Sequence, residues 1–157
     1  MFQKKHSDEY YFGLAAEEAK KSLCLKAKCG AIVVRSHKVI GRGYNAPPND
    51  DIGNATCNFS YHSTQKLKYD KTCCMHAEWR AIIDALKHED VSSGVLYFVR
   101  VNDKGEILKS GRPYCTVCSR FALDLGMLSF GLWHEEGITM YPTKEYNRLS
   151  YSFHLGN

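Results

Sequence analysis

Residues 94–101, GVLYFVRV, constrain the fold more than any other stretch of this chain. Their apolar side chains follow one another without alternation, so neither face of the strand suits water. That is the pattern of a strand inside a sheet covered on both sides. Helical patterns flank it. Residues 75–88 (MHAEWRAIIDALKH) put Ala81, Ile82, Ala85 and Leu86 at apolar helical positions, and residues 115–125 (CTVCSRFALDL) form a second helix that Gly126 closes. Upstream, residues 7–24 read as an amphipathic helix capped by Ser7 or Asp8, with Tyr11, Leu14, Ala15 and Ala19 at helical spacing. CGAIVVRS (29–36) and KVIGRGYN (38–45) are β-branched runs around a polar turn at Ser36-His37, a hairpin pattern.

Downstream, MLSFGLWH (127–134) and ITMY (138–141) are strands with only Glu135, Glu136 and Gly137 between them. Three residues permit only an antiparallel pair. TKEYNRLSYSF (143–153) reads as a helical or irregular tail. The order α-β-β-α-β-α-β-β implies one α/β domain over residues 1–157, with helices covering a mixed five-stranded sheet. Residues 46–72 interrupt it as an insertion loop with Pro47, Pro48, Gly53 and many small polar residues. A loop that long in a compact domain is usually functional or mobile.

Several function classes are excluded or disfavoured. A net charge of +4 suits a small anionic ligand but falls short of the basic footprint of a nucleic-acid binder. No apolar run approaches the roughly 18 residues of a membrane span, and MFQKKHSDEYYF lacks the apolar centre of a signal peptide. The seven cysteines, an odd count without an export signal, point to a reducing cytoplasm and away from a disulfide framework. There, clustered thiols serve as metal ligands or catalytic groups.

Two clusters carry chemistry. GRPYCTVC (111–118) puts Cys115 and Cys118 at i and i+3 in the first turn of a helix, on one face. The positive end of the helix dipole favours their thiolates. CCMHAEWRAI (73–82) begins the other helix with His76. One imidazole and two thiolates are a tetrahedral Zn2+ set with an open fourth position, the mark of a catalytic rather than a structural site. Glu78 is turned about 200° from His76 on an ideal helix, a poor fellow ligand but well placed to overlook the open face and shuttle protons. Alone, CxxC also fits a redox pair or a structural half-site, and HAE also fits an ordinary helix start. Together, each opening a helix in β-α-β order, they point to catalytic zinc.

These motifs and the element order resemble the zinc-dependent cytidine and deoxycytidylate deaminase superfamily, with its H-x-E…P-C-x-x-C signature. The resemblance implies a cytidine-deaminase-like three-layer α/β/α fold, His76, Cys115 and Cys118 as zinc ligands, and Glu78 as the proton shuttle. It implies hydrolytic deamination of a cytosine nucleoside or nucleotide, releasing ammonia, by a homo-oligomer. GRGYNAPPND (41–50) is similar to the deoxycytidylate deaminases, which makes Asn45 a sugar-binding candidate, although Asn45 also suits a turn before two prolines. Ala77 and Tyr114, adjoining the ligands, are candidate contacts for the base. The C-terminal hairpin instead resembles the free-nucleoside cytidine deaminases and the blasticidin-type enzymes. Tyr114 stands between the usual Pro and Cys, and Arg80 stands where Asn often follows the HAE motif.

Arg42, Lys109, Arg112 and Arg120 are the cations nearest the expected mouth for a phosphate, and each equally suits a solvated surface. Cys57, His62, Cys73 and Cys74 are candidates for a second metal, with plain buried or surface thiols the alternative. Cys24 and Cys29 read as small core residues, and Trp79, Phe98, Phe130 and Trp133 as core aromatics. Two other functions compete: a deaminase of adenine, guanine or a base in tRNA, and a non-catalytic zinc module in which Cys74 closes the metal.

Overall fold

A computed structural model describes residues 4–56 and 73–153. The hairpin consists of β1 (Lys28–Arg35) and β2 (Lys38–Tyr44), antiparallel. Ser36 and His37 both take positive φ, 49° and 66°, so the two-residue turn has the handedness that matches strand twist. The continuous apolar run becomes β3 (Val95–Val101), antiparallel to β1. It also pairs in parallel with β5 (Ser129–His134), and β6 (Gly137–Pro142) returns antiparallel to β5. The sheet order is β2-β1-β3-β5-β6. A two-residue strand, β4 (Ile107–Leu108), adds to the end of β3 against Arg100 and Val101. It makes six strands where five were expected, because two residues are too few to show a period.

Side chains alternate between the two faces of the sheet. One face of β1 and β3, with Ile32, Val34, Tyr97, Val99 and Val101, packs against Tyr11, Phe12, Ala15 and Ala19 of α1 (Asp8–Ala19). The other, with Ala31, Val33 and Leu96, joins Phe130, Leu132, α2 (Ala77–Leu86) and Ala122 of α3 (Thr116–Asp124). The three-layer α/β/α architecture is therefore as expected. The tail is helical, α4 (Thr143–Ser152), and is pinned to α3 where Ser119 Oγ donates to Asn147 Oδ1 at 2.9 Å.

The first helix ends five residues short of its expected limit. After Ala19 the chain turns, and Ser22 donates to the Asn45 carbonyl at 2.9 Å instead of continuing the helix. Near the site the packing is unusually close. A Cβ on Gly43 would meet the Ala77 carbonyl oxygen at 2.4 Å and the Ala81 nitrogen at 2.4 Å; one on Gly41 would meet the Ala81 carbonyl oxygen at 2.1 Å. The glycines of β2 thus let the Ala77-Ala81-Ala85 stripe of α2 lie directly on the strand, which seats the start of α2 at a fixed height over the sheet. Among the described residues no helix is long and apolar enough to cross a membrane.

Candidate metal centre

His76 is the N-cap of α2 and Cys115 the N-cap of α3, so each helix presents its first turn at the same edge of the sheet. Two features hold the approach to His76. Met75 exchanges backbone hydrogen bonds with Ala46, its N–H donating at 2.8 Å. The Arg80 guanidinium bonds Asp50 at 2.7 Å and the Pro47 carbonyl at 3.1 Å, and lies 5.2 Å from the Tyr44 ring centre.

The ligand atoms of His76, Cys115 and Cys118 all lie within 4.8 Å of one another. His76 Nδ1 is 3.5 Å from Cys115 Sγ and 3.3 Å from Cys118 Sγ. Zinc–sulfur bonds of about 2.3 Å and zinc–nitrogen bonds of about 2.0–2.1 Å, set tetrahedrally, separate such donors by roughly 3.6 Å. The three residues fit a zinc ion.

The charges fit as well. Hydrogen bonding from Cys118, then from His76 and the Cys118 backbone N–H, outweighs burial and brings the Cys115 thiol down to about 5. Burial, the Cys115 charge and Glu78 push the Cys118 thiol the other way. The pair thus takes one negative charge readily, and a cation between the sulfurs would favour the second. Glu78 is 6% exposed. Burial raises its carboxyl to about 6, with the neighbouring His76 opposing and Cys115 adding to the rise. A buried carboxyl that titrates near neutrality can both accept and donate a proton.

The other expected site residues are placed differently. Asn45 is buried, and its carboxamide is already engaged. Its Oδ1 accepts from Ser22 Oγ at 2.6 Å and from the Cys29 N–H at 2.8 Å, while Nδ2 donates to the Ala27 carbonyl at 2.8 Å. What remains for a ligand is one amide hydrogen. Ala77 is fully buried in the first turn of α2. Tyr114 is 65% exposed, edge-on to Phe153 at 5.0 Å.

Cys57 and His62 lie outside the described residues. Cys73 and Cys74 have their sulfurs 3.8 Å apart, and Cys74 is hydrogen-bonded to Cys24. Among the described residues, His76, Cys115 and Cys118 are the only three that gather metal-ligating atoms.

Cys29 is buried in the core, as the sequence suggests, and Tyr146 is a residue near the site that the sequence motifs do not single out. Cys29 lies close enough to Glu78 to feel its charge, and burial first, then that charge, pushes its thiol to about 12. Tyr146 of α4 is 3% exposed, stacked on Phe130 at 4.3 Å. Burial, followed by the charges of Glu78 and Cys118, raises its hydroxyl. The signal was the spacing Thr143, Tyr146, Ser150, an i, i+3, i+7 stripe whose three residues are all buried.

Known proteins accord with this site. The family described as "Cytidine and deoxycytidylate deaminase zinc-binding region" matches residues 5–141. The chain belongs to this family. It is 32% identical over 95 residues to a deoxycytidylate deaminase of Schizosaccharomyces pombe, covering 57% of this chain but 29% of that protein. It is 33% identical over 99 residues to a deoxycytidylate deaminase of Mycobacterium phage D29, covering 59% of this chain and 77% of the phage protein. The chain thus spans under a third of the fission-yeast relative.

Among solved structures, cytidine deaminase from Burkholderia pseudomallei has the same fold, with a TM-score of 0.61 at 17% identity, covering 90% of this chain and 96% of the other. The dCMP deaminase of cyanophage S-TIM5, solved with dCMP and dUMP, gives a TM-score of 0.54 at 21% identity, covering 82% and 81%.

Proposed function

We propose that the protein is a zinc-dependent hydrolytic deaminase of a cytosine nucleotide, with a dCMP-like substrate: the ring's 4-amino group and water become a carbonyl and ammonia. The observation that carries this is the buried Glu78 carboxyl, near pKa 6, beside three converging soft ligands. His76, Cys115 and Cys118 are the proposed zinc ligands. When bound there, zinc supplies Lewis acidity that lets water act as a nucleophile near neutral pH. Glu78 takes one proton from the attacking water and gives it to ring N3, then takes that water's second proton, from the hydroxyl now on C4, and gives it to the departing amine. Its raised pKa suits both the acceptances and the donations, since neither protonation state is strongly favoured at pH 6–7.

In this proposal the first-turn N–H groups of α2, Ala77 among them, lack intrahelical partners and can meet the base. Tyr114 lines the entrance, and Asn45 acts chiefly by fixing the strand end beside it. The nucleotide preference is supported by the named relatives. Lys109 and Arg112, in the loop that leads into Cys115, are the proposed phosphate contacts. Lys109 Nζ lies 4.8 Å from the Trp133 ring centre, and Arg112 is close enough to Tyr141 for its charge to oppose in part the burial that raises that hydroxyl.

Ammonia release from zinc-loaded protein tests the reading, with cytidine, deoxycytidine, CMP, dCMP, cytosine, adenosine and guanine as the panel. Turnover of dCMP above deoxycytidine is expected, with Glu78→Gln losing about 10³-fold in kcat while keeping its zinc. Folded, zinc-loaded protein that is silent across the panel would overturn it.

A further inference from the structure

The His76 imidazole has an indole against its face. The rings of His76 and Trp79 lie 4.0 Å apart, centre to centre, with their planes 4° from parallel. Residues three apart on a helix are neighbours, so the first turn of α2 itself brings them together. Buried indole N–H groups usually find an acceptor, yet Trp79 Nε1 is buried with none among the described residues. The contact that the described residues give Trp79 here is that of its ring face.

That face meets one of the three proposed ligands. Rotation about the last torsion of a histidine side chain is broad and roughly two-fold, while Nδ1 must point between the two sulfurs, 3.5 and 3.3 Å away. We infer that Trp79 is a positioning residue for His76, whose indole fixes the plane of the imidazole and favours its metal-bound form. Two physical effects act together. A parallel ring at van der Waals distance blocks rotation of the imidazole. An imidazole that has given its lone pair to a cation is electron-poor, and the indole's electron-rich face attracts it more strongly than the free ring. Only such a difference between loaded and metal-free states can shift a binding equilibrium.

This rests on the zinc reading proposed above, so its test reads the metal rather than turnover. Zinc release to a chelating indicator is measured for the full chain carrying Trp79, Trp79→Phe and Trp79→Leu, alongside thermal unfolding of each metal-free form. Leucine keeps an apolar side chain at the position but removes the π face. Release should quicken in the order Trp, Phe, Leu, with Leu about tenfold faster, the low end of the effect of losing a ligand's supporting contact. Metal-free stability should not follow that order.

A second readout is optical. With Trp133→Phe, Trp79 is the only tryptophan, and its emission should change on stripping and restoring zinc. Equal release rates in the three folded proteins would overturn the inference, as would rates that merely track metal-free stability. If Trp79→Leu does not fold, Trp79→Phe together with an unresponsive Trp79 emission decides against it in the same way. Wild-type protein that takes up no zinc would instead sink the proposed function itself.

Discussion

Two groups of cysteines sit at the beginnings of two helices, and the thiols of Cys115 in one and Cys74 in the other shift in opposite directions. At α3, Cys115 accepts the Cys118 N–H at 3.2 Å and lies against His76, and its thiol falls to about 5. Before α2, Cys73 and Cys74 have sulfurs 3.8 Å apart. Burial, then the Cys24 and Cys73 thiols, all push the Cys74 thiol up. The contrast shows that proximity of thiols does not by itself favour a thiolate. N–H groups and an imidazole facing a thiol stabilise the thiolate, the form a metal needs. It also bears on the reading in which Cys74 closes the metal. Cys74 bonds within its own thiol group, while the converging donors are His76, Cys115 and Cys118.

The most damaging way to break the comparison is to remove a member of the first group. Cys118→Ser should weaken zinc binding by at least about 100-fold, read as zinc per chain after dialysis, because a buried hydroxyl is a poor substitute for a thiolate. Retained zinc would mean that another residue completes the set.

Next in size is the seat of α2, which brings its histidine to the first group. Gly43→Ala forces a Cβ into the Ala77 carbonyl and the Ala81 nitrogen, both at 2.4 Å. Overpacking against backbone should cost about 3 kcal/mol and lower Tm by roughly 6–12 °C in calorimetry. An unchanged Tm would mean that the helix–strand contact is looser than described.

Cys74→Ala sharpens the contrast from the other side. Zinc content should stay at the wild-type level, with stability lowered by about 1 kcal/mol in urea unfolding. Zinc lost with this substitution would merge the two groups into one metal site.

The smallest effect concerns the tether that holds the 47–50 turn to α2. Hydrogen bonds from Tyr44 and then Arg80 depress the Asp50 pKa. A carboxyl with a folded pKa below its unfolded value contributes stability above the unfolded pKa, near 3.9, and loses it as pH falls through the folded value. Asp50 is 40% exposed and Arg80 21%, so solvent screening keeps the contribution under about 1 kcal/mol. Stability measured from pH 5 down to pH 2 should therefore fall slightly more steeply in wild type than in Arg80→Ala. Parallel profiles would remove the tether from the account.

Much of this was legible in the chain itself, because the informative signals are local. The unbroken run of residues 94–101 specified a central strand, and three residues between 134 and 138 specified the antiparallel return. The i, i+3 cysteines at a helix start specified a shared ligand face. The short β4 lay below the reach of any periodicity. Asn45 illustrates a different limit. Its sequence neighbours matched a substrate-binding segment, but the hydrogen bonds that engage its carboxamide come from Ser22, Ala27 and Cys29, which no local pattern connects to it.

By itself, then, the sequence determined most element types, the antiparallel return of the last two strands and which residues had the chemistry to bind a metal, since these follow from backbone geometry and side-chain identity within a few residues. Tertiary structure alone decided which thiols meet His76 across 39 and 42 positions, how deeply Glu78 is buried and hence where it titrates, and that Tyr146 closes against the same site. Burial and electrostatic fields are sums over neighbours from every layer of the fold, and those neighbours exist only once the sheet and its helices have packed.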